Sequence, residues 1–133
     1  MKSYFLAYII TGGIFAVMDA VWLSLMAGRL YKPVLHEILA PKVQAAPAII
    51  FYLLYILGLV IFAVAPGLAA GRWSAALWRG ALFGLFTYMT YDLTNQATMR
   101  VWATSITAAD IGWGMAASAT AATLGCAALL ALR

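Results

Sequence analysis

Tyr88, Tyr91, Asp92 and Asn95 place two phenols, a carboxyl and an amide in a stretch that is otherwise apolar. At 100° per residue they share a face with Gly80 and Gly84, so polar groups and small residues point the same way. A carboxyl flanked by phenols can exchange a proton, attract a cation or accept hydrogen bonds from a neighbouring helix, and each of these requires the face to meet protein rather than lipid. Two further acids stand in apolar surroundings, Asp19 and Asp110. A short echo links them: Asp19-Ala-Val-Trp22, Asp110-Ile-Gly-Trp113 and Asp92-Leu-Thr-Asn95 each put a partner three residues on, on the same helix face as the acid. This predicts an indole NH or ring beside the carboxylates of Asp19 and Asp110.

Several chemistries are absent. His36-Glu37 begins like a zinc-protease helix, but Ala occupies position 40 where the second His belongs, so no metal site is expected. No Ser-His-Asp grouping has a recognisable spacing, and Cys126 lies in the last apolar run, away from the acids. No catalytic residue and no cofactor can be named from these patterns. The net charge of +4 suggests nucleic acid until the basic residues are located: Lys2, Arg29, Lys32, Lys42, Arg72, Arg79, Arg100 and Arg133 stand singly at the ends of apolar runs. There they snorkel or set topology, and nucleic acid is not an expected partner.

The elements that position these groups are membrane helices. Of the 133 residues, 66% are hydrophobic and 9% charged, against roughly 25% charged in an ordinary soluble domain. The apolar runs are about twenty residues long, which suits transmembrane helices and not barrel strands. The expected fold is all-α: one polytopic domain, residues 1–133, an antiparallel bundle of four transmembrane helices at about 4–26, 47–65, 75–95 and 108–132. The first run is too long for a signal peptide and lacks a small-x-small cleavage site before Asp19. Pro33 starts, and Pro41 ends, a stretch in which Val34, Leu35, Ile38 and Leu39 recur opposite His36 and Glu37, which predicts a short interfacial helix in the first connection. Pro66-Gly67 closes the second span.

Antiparallel spans make the acids converge. If the chain enters at face A, Asp19 lies roughly 22 Å into a hydrocarbon core about 30 Å thick, and Asp92 roughly 25 Å, both near face B. Asp110, early in the fourth span, and Tyr52 and Tyr55, early in the second, reach the same level. A buried ionised carboxylate costs several kcal/mol unless paired, and no basic residue stands at that level of the spans to pair it. Tyrosine hydroxyls, Asn95, the indoles of Trp22 and Trp113, and protonation, above all of the deep Asp19, are the available compensations. The bland alternatives are open: Thr107-x-x-Asp110 reads as a capping box for the fourth span, Asp92 as a headgroup-facing residue, and all three acids as a polar clamp without chemistry.

These residues resemble a family of bacterial inner-membrane proteins, domain of unknown function 2177. The likeness runs nearly end to end, through Asp19-x-x-Trp22-Leu23, Phe51-Tyr52-Leu53-Leu54-Tyr55, Gly80-Ala81-Leu82-Phe83-Gly84, Tyr88-x-x-Tyr91-Asp92-Leu93-Thr94-Asn95-x-Ala97-Thr98 and Asp110-x-x-Trp113-Gly114. It implies a four-span, multi-pass protein of the bacterial inner (cytoplasmic) membrane and picks out the same acids and aromatics. It implies no reaction. More loosely the chain is similar to small multidrug-resistance transporters, which also join four helices, an acid in the first span and many aromatics, but here acids stand in spans three and four as well.

The reading that follows is a membrane protein with an acid and aromatic pocket near one face. The pocket binds or transports a small lipophilic or cationic molecule or a lipid. Asp19, Asp92 and Asp110 are its proton- or ligand-binding acids, Trp22, Tyr52, Tyr55, Tyr88, Tyr91 and Trp113 its walls, and Asn95 an orienting amide. An intramembrane enzyme acting on a lipid or isoprenoid, and an accessory subunit of a membrane complex, are the alternatives. Membrane lipids are partners in any case, and the small-residue stripes of spans three and four leave room for a homodimer. Orientation is undetermined by charge, with four Lys or Arg on each side.

Overall fold

The computed structural model describes residues 2–133 and is all-helical. Four helices follow one another: α1 (Lys2–Leu35), α2 (Ala45–Ala69), α3 (Trp73–Thr98) and α4 (Thr104–Ala131). Among the described residues, α1, α2 and α4 are long and apolar enough to cross a membrane. Helix α3, with 26 residues, has the length but carries more polar side chains, the candidate site among them.

Two helices run further than their prolines suggest. Helix α1 passes through a π-helical turn, Ala27–Tyr31, into the short segment Lys32–Leu35, so the short helix of the first connection is a continuation of α1 and stops well before Pro41. Helix α2 passes through a second π-helical turn, Val60–Val64, and runs past Pro66 to Ala69. In both, the proline stands two residues beyond the turn. A proline within a helix clashes with the carbonyl four residues back, here Arg29 or Phe62, and both of these lie inside the wider π turn. The backbone therefore absorbs the proline without breaking.

Beyond Ala69 the chain reverses at Gly71, whose φ of 65° is the left-handed conformation that ends many helices. Gly71 N and Arg72 N donate to the carbonyls of Leu68 and Gly67, each at 3.1 Å. Helix α4 begins at Thr104, about four residues before the expected start, because its polar first turn finds partners on α3: Gln96 Nε2 donates to Thr104 Oγ1 and Thr107 Oγ1 donates to Gln96 Oε1.

Helices α3 and α4 pack most closely, through glycines. A Cβ on Gly84 would collide with the Gly114 carbonyl, and one on Gly80 would lie 2.8 Å from the Ser118 carbonyl oxygen. Bringing backbones this near maximises dispersion contact, the main attraction between helices in lipid. Phe15, Leu59, Val64 and Ile106 are fully buried, while Val17, Leu54, Phe62 and Phe86 point outward from the bundle.

Candidate functional site

The three acids are buried at one end of the bundle. Asp19, on α1, accepts hydrogen bonds on both oxygens: one from Tyr52 of α2 and one from Trp113 Nε1 of α4, at 3.1 Å. Three helices are thus tied to one carboxyl. Asp110, on α4, accepts from the hydroxyl of Tyr31, and Tyr31 in turn accepts from Trp22 Nε1 at 2.9 Å. The indoles of Trp22 and Trp113 stack with centroids 4.7 Å apart and planes 6° from parallel.

The Asp-x-x-Trp echo is therefore realised crosswise. Each tryptophan serves the other motif's acid, Trp113 directly to Asp19 and Trp22 through Tyr31 to Asp110. Residues three apart on one helix diverge once side chains lean onto neighbours, whereas two such motifs on facing helices can exchange partners. Tyr31 escaped sequence reading because its position depends on the π turn that carries it.

Asp110 is not a helix cap. The N-cap of α4 is Ala103, without a side-chain cap, seven residues before Asp110 in the helix that begins at Thr104. Thr107, the other half of the capping pattern, bonds to Gln96 and accepts from Trp102 Nε1 at 2.9 Å.

Asp92 does not face headgroups. It is fully buried, and neither carboxyl oxygen has a hydrogen-bond partner. The carboxyl of Asp110 stands beside it, within reach of a hydrogen bond whenever one of the two carries a proton. The helix packing explains the meeting. Gly80 of α3 meets Ser118 and Ala122 of α4, Gly84 meets Gly114 and Ser118, and Tyr88 covers Gly114. One further turn along each antiparallel helix brings Asp92 to Asp110, and the next brings Gln96 to Thr104 and Thr107.

Beside the acids lies a cavity of about 420 Å³, lined by Phe51 and Tyr55 of α2, Thr87, Tyr88 and Tyr91 of α3, and Asp110 of α4. Tyr55 is anchored, its hydroxyl 2.7 Å from Ser118 Oγ and 3.2 Å from Thr87 Oγ1. Its ring packs against Phe15 at 5.0 Å and edge-on against Tyr88 at 6.0 Å. Tyr91 is exposed and meets Trp102 edge-on. Asn95 lies near the Tyr91 hydroxyl and makes no bond to Asp92. Of the expected residues, Asp110, Tyr55, Tyr88 and Tyr91 thus share the cavity, while Asp19, Trp22, Tyr52 and Trp113 form the adjoining bonded cluster. Thr87, Ser118 and Tyr31 join them without having been singled out. Ser118 stands in repetitive small-residue sequence and Thr87 among bulky apolar residues, and in both settings only the facing helix gives a hydroxyl its meaning.

Comparison with known sequences gives one family. Its sequence model, described as "Predicted membrane protein (DUF2177)", matches residues 4–127. No curated protein and no solved structure matches the chain.

Proposed function

Since the chain belongs to the DUF2177 family of predicted membrane proteins, we propose that it binds a small lipophilic cation in the cavity between α2, α3 and α4. One observation carries this reading: a cavity of about 420 Å³ walled by Phe51, Tyr55, Tyr88 and Tyr91 has a single acid, Asp110, in its lining and no basic residue. That volume lies within the range of small-molecule sites, about 300–1,000 Å³. Aromatic faces attract a cation by roughly 0.5–2 kcal/mol each, most where water is excluded, and the carboxyl supplies the opposite charge. The bonded tyrosine Tyr55 fixes one wall, so little order has to be created when a ligand enters.

Apolar side chains such as Leu54 of α2 and Phe86 of α3 point outward from the bundle, which supports entry of a ligand from the membrane. Transport would follow if the bound cation could leave on the other side. Binding is the step the geometry supports.

The test uses two compounds of one shape, benzyltrimethylammonium and its uncharged carbon isostere neopentylbenzene, titrated into the purified protein by calorimetry. The expected result is saturable binding of the cation at one site, at least tenfold weaker for the neutral isostere and for Asp110→Asn. Equal binding of both compounds would remove the cation from the reading and leave an apolar or lipid ligand. No binding of either would refute it.

A further inference from the structure

Asp92, like Asp19, lies outside the cavity lining, but its surroundings, unlike those of Asp19, are chemically incomplete. It is fully buried with both oxygens unpartnered, and the group aimed at it is another carboxyl, that of Asp110. Two ionised carboxylates cannot occupy such a place together. Each desolvated charge costs several kcal/mol, and their mutual repulsion adds to this. Compensation by a basic residue is not present: among the described residues neither acid pairs with a Lys, Arg or His, and the one such contact is His36 with Glu37, both exposed.

Every other group facing the pair is neutral or a hydrogen-bond donor to Asp110. From α1 comes Tyr31, which donates to Asp110. From α3 come Tyr88 and Tyr91, with Asn95 beside the latter. From α2, Tyr55 stands at the cavity wall with its hydroxyl committed to Ser118 and Thr87. None of these bonds to Asp92. The missing partner has to be a donor between two acceptors, and a proton is the smallest that fits.

We propose that Asp92 and Asp110 form a one-proton site, in which Asp92 carries the proton and donates its O–H to the Asp110 carboxylate. The arrangement completes both residues. Asp92 gains the partner it lacks, and Asp110 keeps a single negative charge, held by Asp92 and Tyr31 and presented to the cavity. The interlock of Gly80, Gly84 and Gly114 fixes the separation, because the backbones of α3 and α4 cannot slide without collision. The site stands independently of what the cavity binds. The pair lies on the α3–α4 seam and borders the cavity through Asp110.

Infrared spectroscopy of the purified full chain at neutral pH, with aspartate carrying a ¹³C-labelled side-chain carboxyl, tests this. A protonated carboxyl has a C=O stretch well separated from carboxylate bands, and the label separates the Asp residues from Glu37. The expected result is one protonated carboxyl per chain, shifted by transfer to D₂O and abolished in Asp92→Asn, where the amide N–H replaces the acid as donor. Asp110→Asn, a second variant, gives Asp92 an amide donor and also removes the band. The band should persist in Asp19→Asn. Absence of the band in wild type, its survival in both pair variants, or one tightly bound metal ion per chain in native mass spectrometry would overturn the proposal. Failure of the ammonium titration leaves this result untouched.

Discussion

The two ends of the bundle are held together by different means. At the face A end the interior is small and apolar: Ala7, Ala63, Ala76, Ala122 and Cys126 are fully buried, and Gly67 sits against Ala76 and Cys126. At the face B end large aromatic and acidic side chains meet, with Asp19 bonded by Tyr52 and Trp113 and Asp110 by Tyr31. Small residues let helices approach and fix their spacing. Large polar ones need room, and where they do not fill it a cavity results. The small residues of one end and the glycine seam of α3 and α4 thus clamp the four helices, and the other end carries the candidate site that the clamp positions.

This contrast can be broken first at the clamp. Gly84→Ala should have the largest effect, because its methyl would strike the Gly114 backbone and Ser118, neither of which can swing aside. Overpacking of this kind costs about 1–3 kcal/mol, occasionally more. Thermal unfolding in detergent should show a clear drop in midpoint, whereas Gly112→Ala, which opens into free space within a helix, should leave the midpoint the same or higher. Equal effects in the two variants would deny the clamp.

At the site end, single bonds are worth less. Tyr52→Phe removes a donor from Asp19 and should cost about 0.6 kcal/mol, and at most about 1.7, the average and the maximum for hydrogen bonds between membrane helices. Asp19→Ala, which strands the hydroxyl of Tyr52 and the indole of Trp113 together, should cost more than Tyr52→Phe by the same measurement. Ser118→Ala should cost about 0.6 kcal/mol, since Tyr55 retains Thr87, yet it frees the ring that walls the cavity and should weaken benzyltrimethylammonium binding more than it lowers stability. Leu54→Ala, on the outer surface of α2, should stay within about 0.5 kcal/mol of wild type and serve as the reference.

Sequence alone carried the fold further than the site. Apolar runs of about twenty residues demand helices, because a closed barrel, the other structure that satisfies the backbone in lipid, is built from strands about ten residues long, and glycines four apart on α3 announce a close neighbour. The level of the acids follows from counting 1.5 Å per residue along antiparallel helices. Partner choice does not follow from counting. Trp113 bonds Asp19, not the acid three residues before it, because orientation about each helix axis is set by packing between helices. The solitude of Asp92 is equally illegible, for an unmet hydrogen bond is a property of all the neighbours at once.

The π turn at Ala27–Tyr31 bears on how this chain tolerates change in length. Trp22 and Tyr31 are nine residues apart, which in a regular α-helix puts them on opposite sides, about 180° around; the wider turn lessens that rotation, and their side chains bond. Deleting one residue between Ala27 and Tyr31 would restore regular winding and leave the tyrosine eight residues from Trp22, about 80° around and still on the side of Asp110. Deleting one between Ala40 and Gln44, where the chain is exposed and irregular, would cost the site nothing. Deletions a dozen codons apart are therefore both absorbed, one by the winding of a helix and the other by slack in the chain, although both fall in what reads as a single linker.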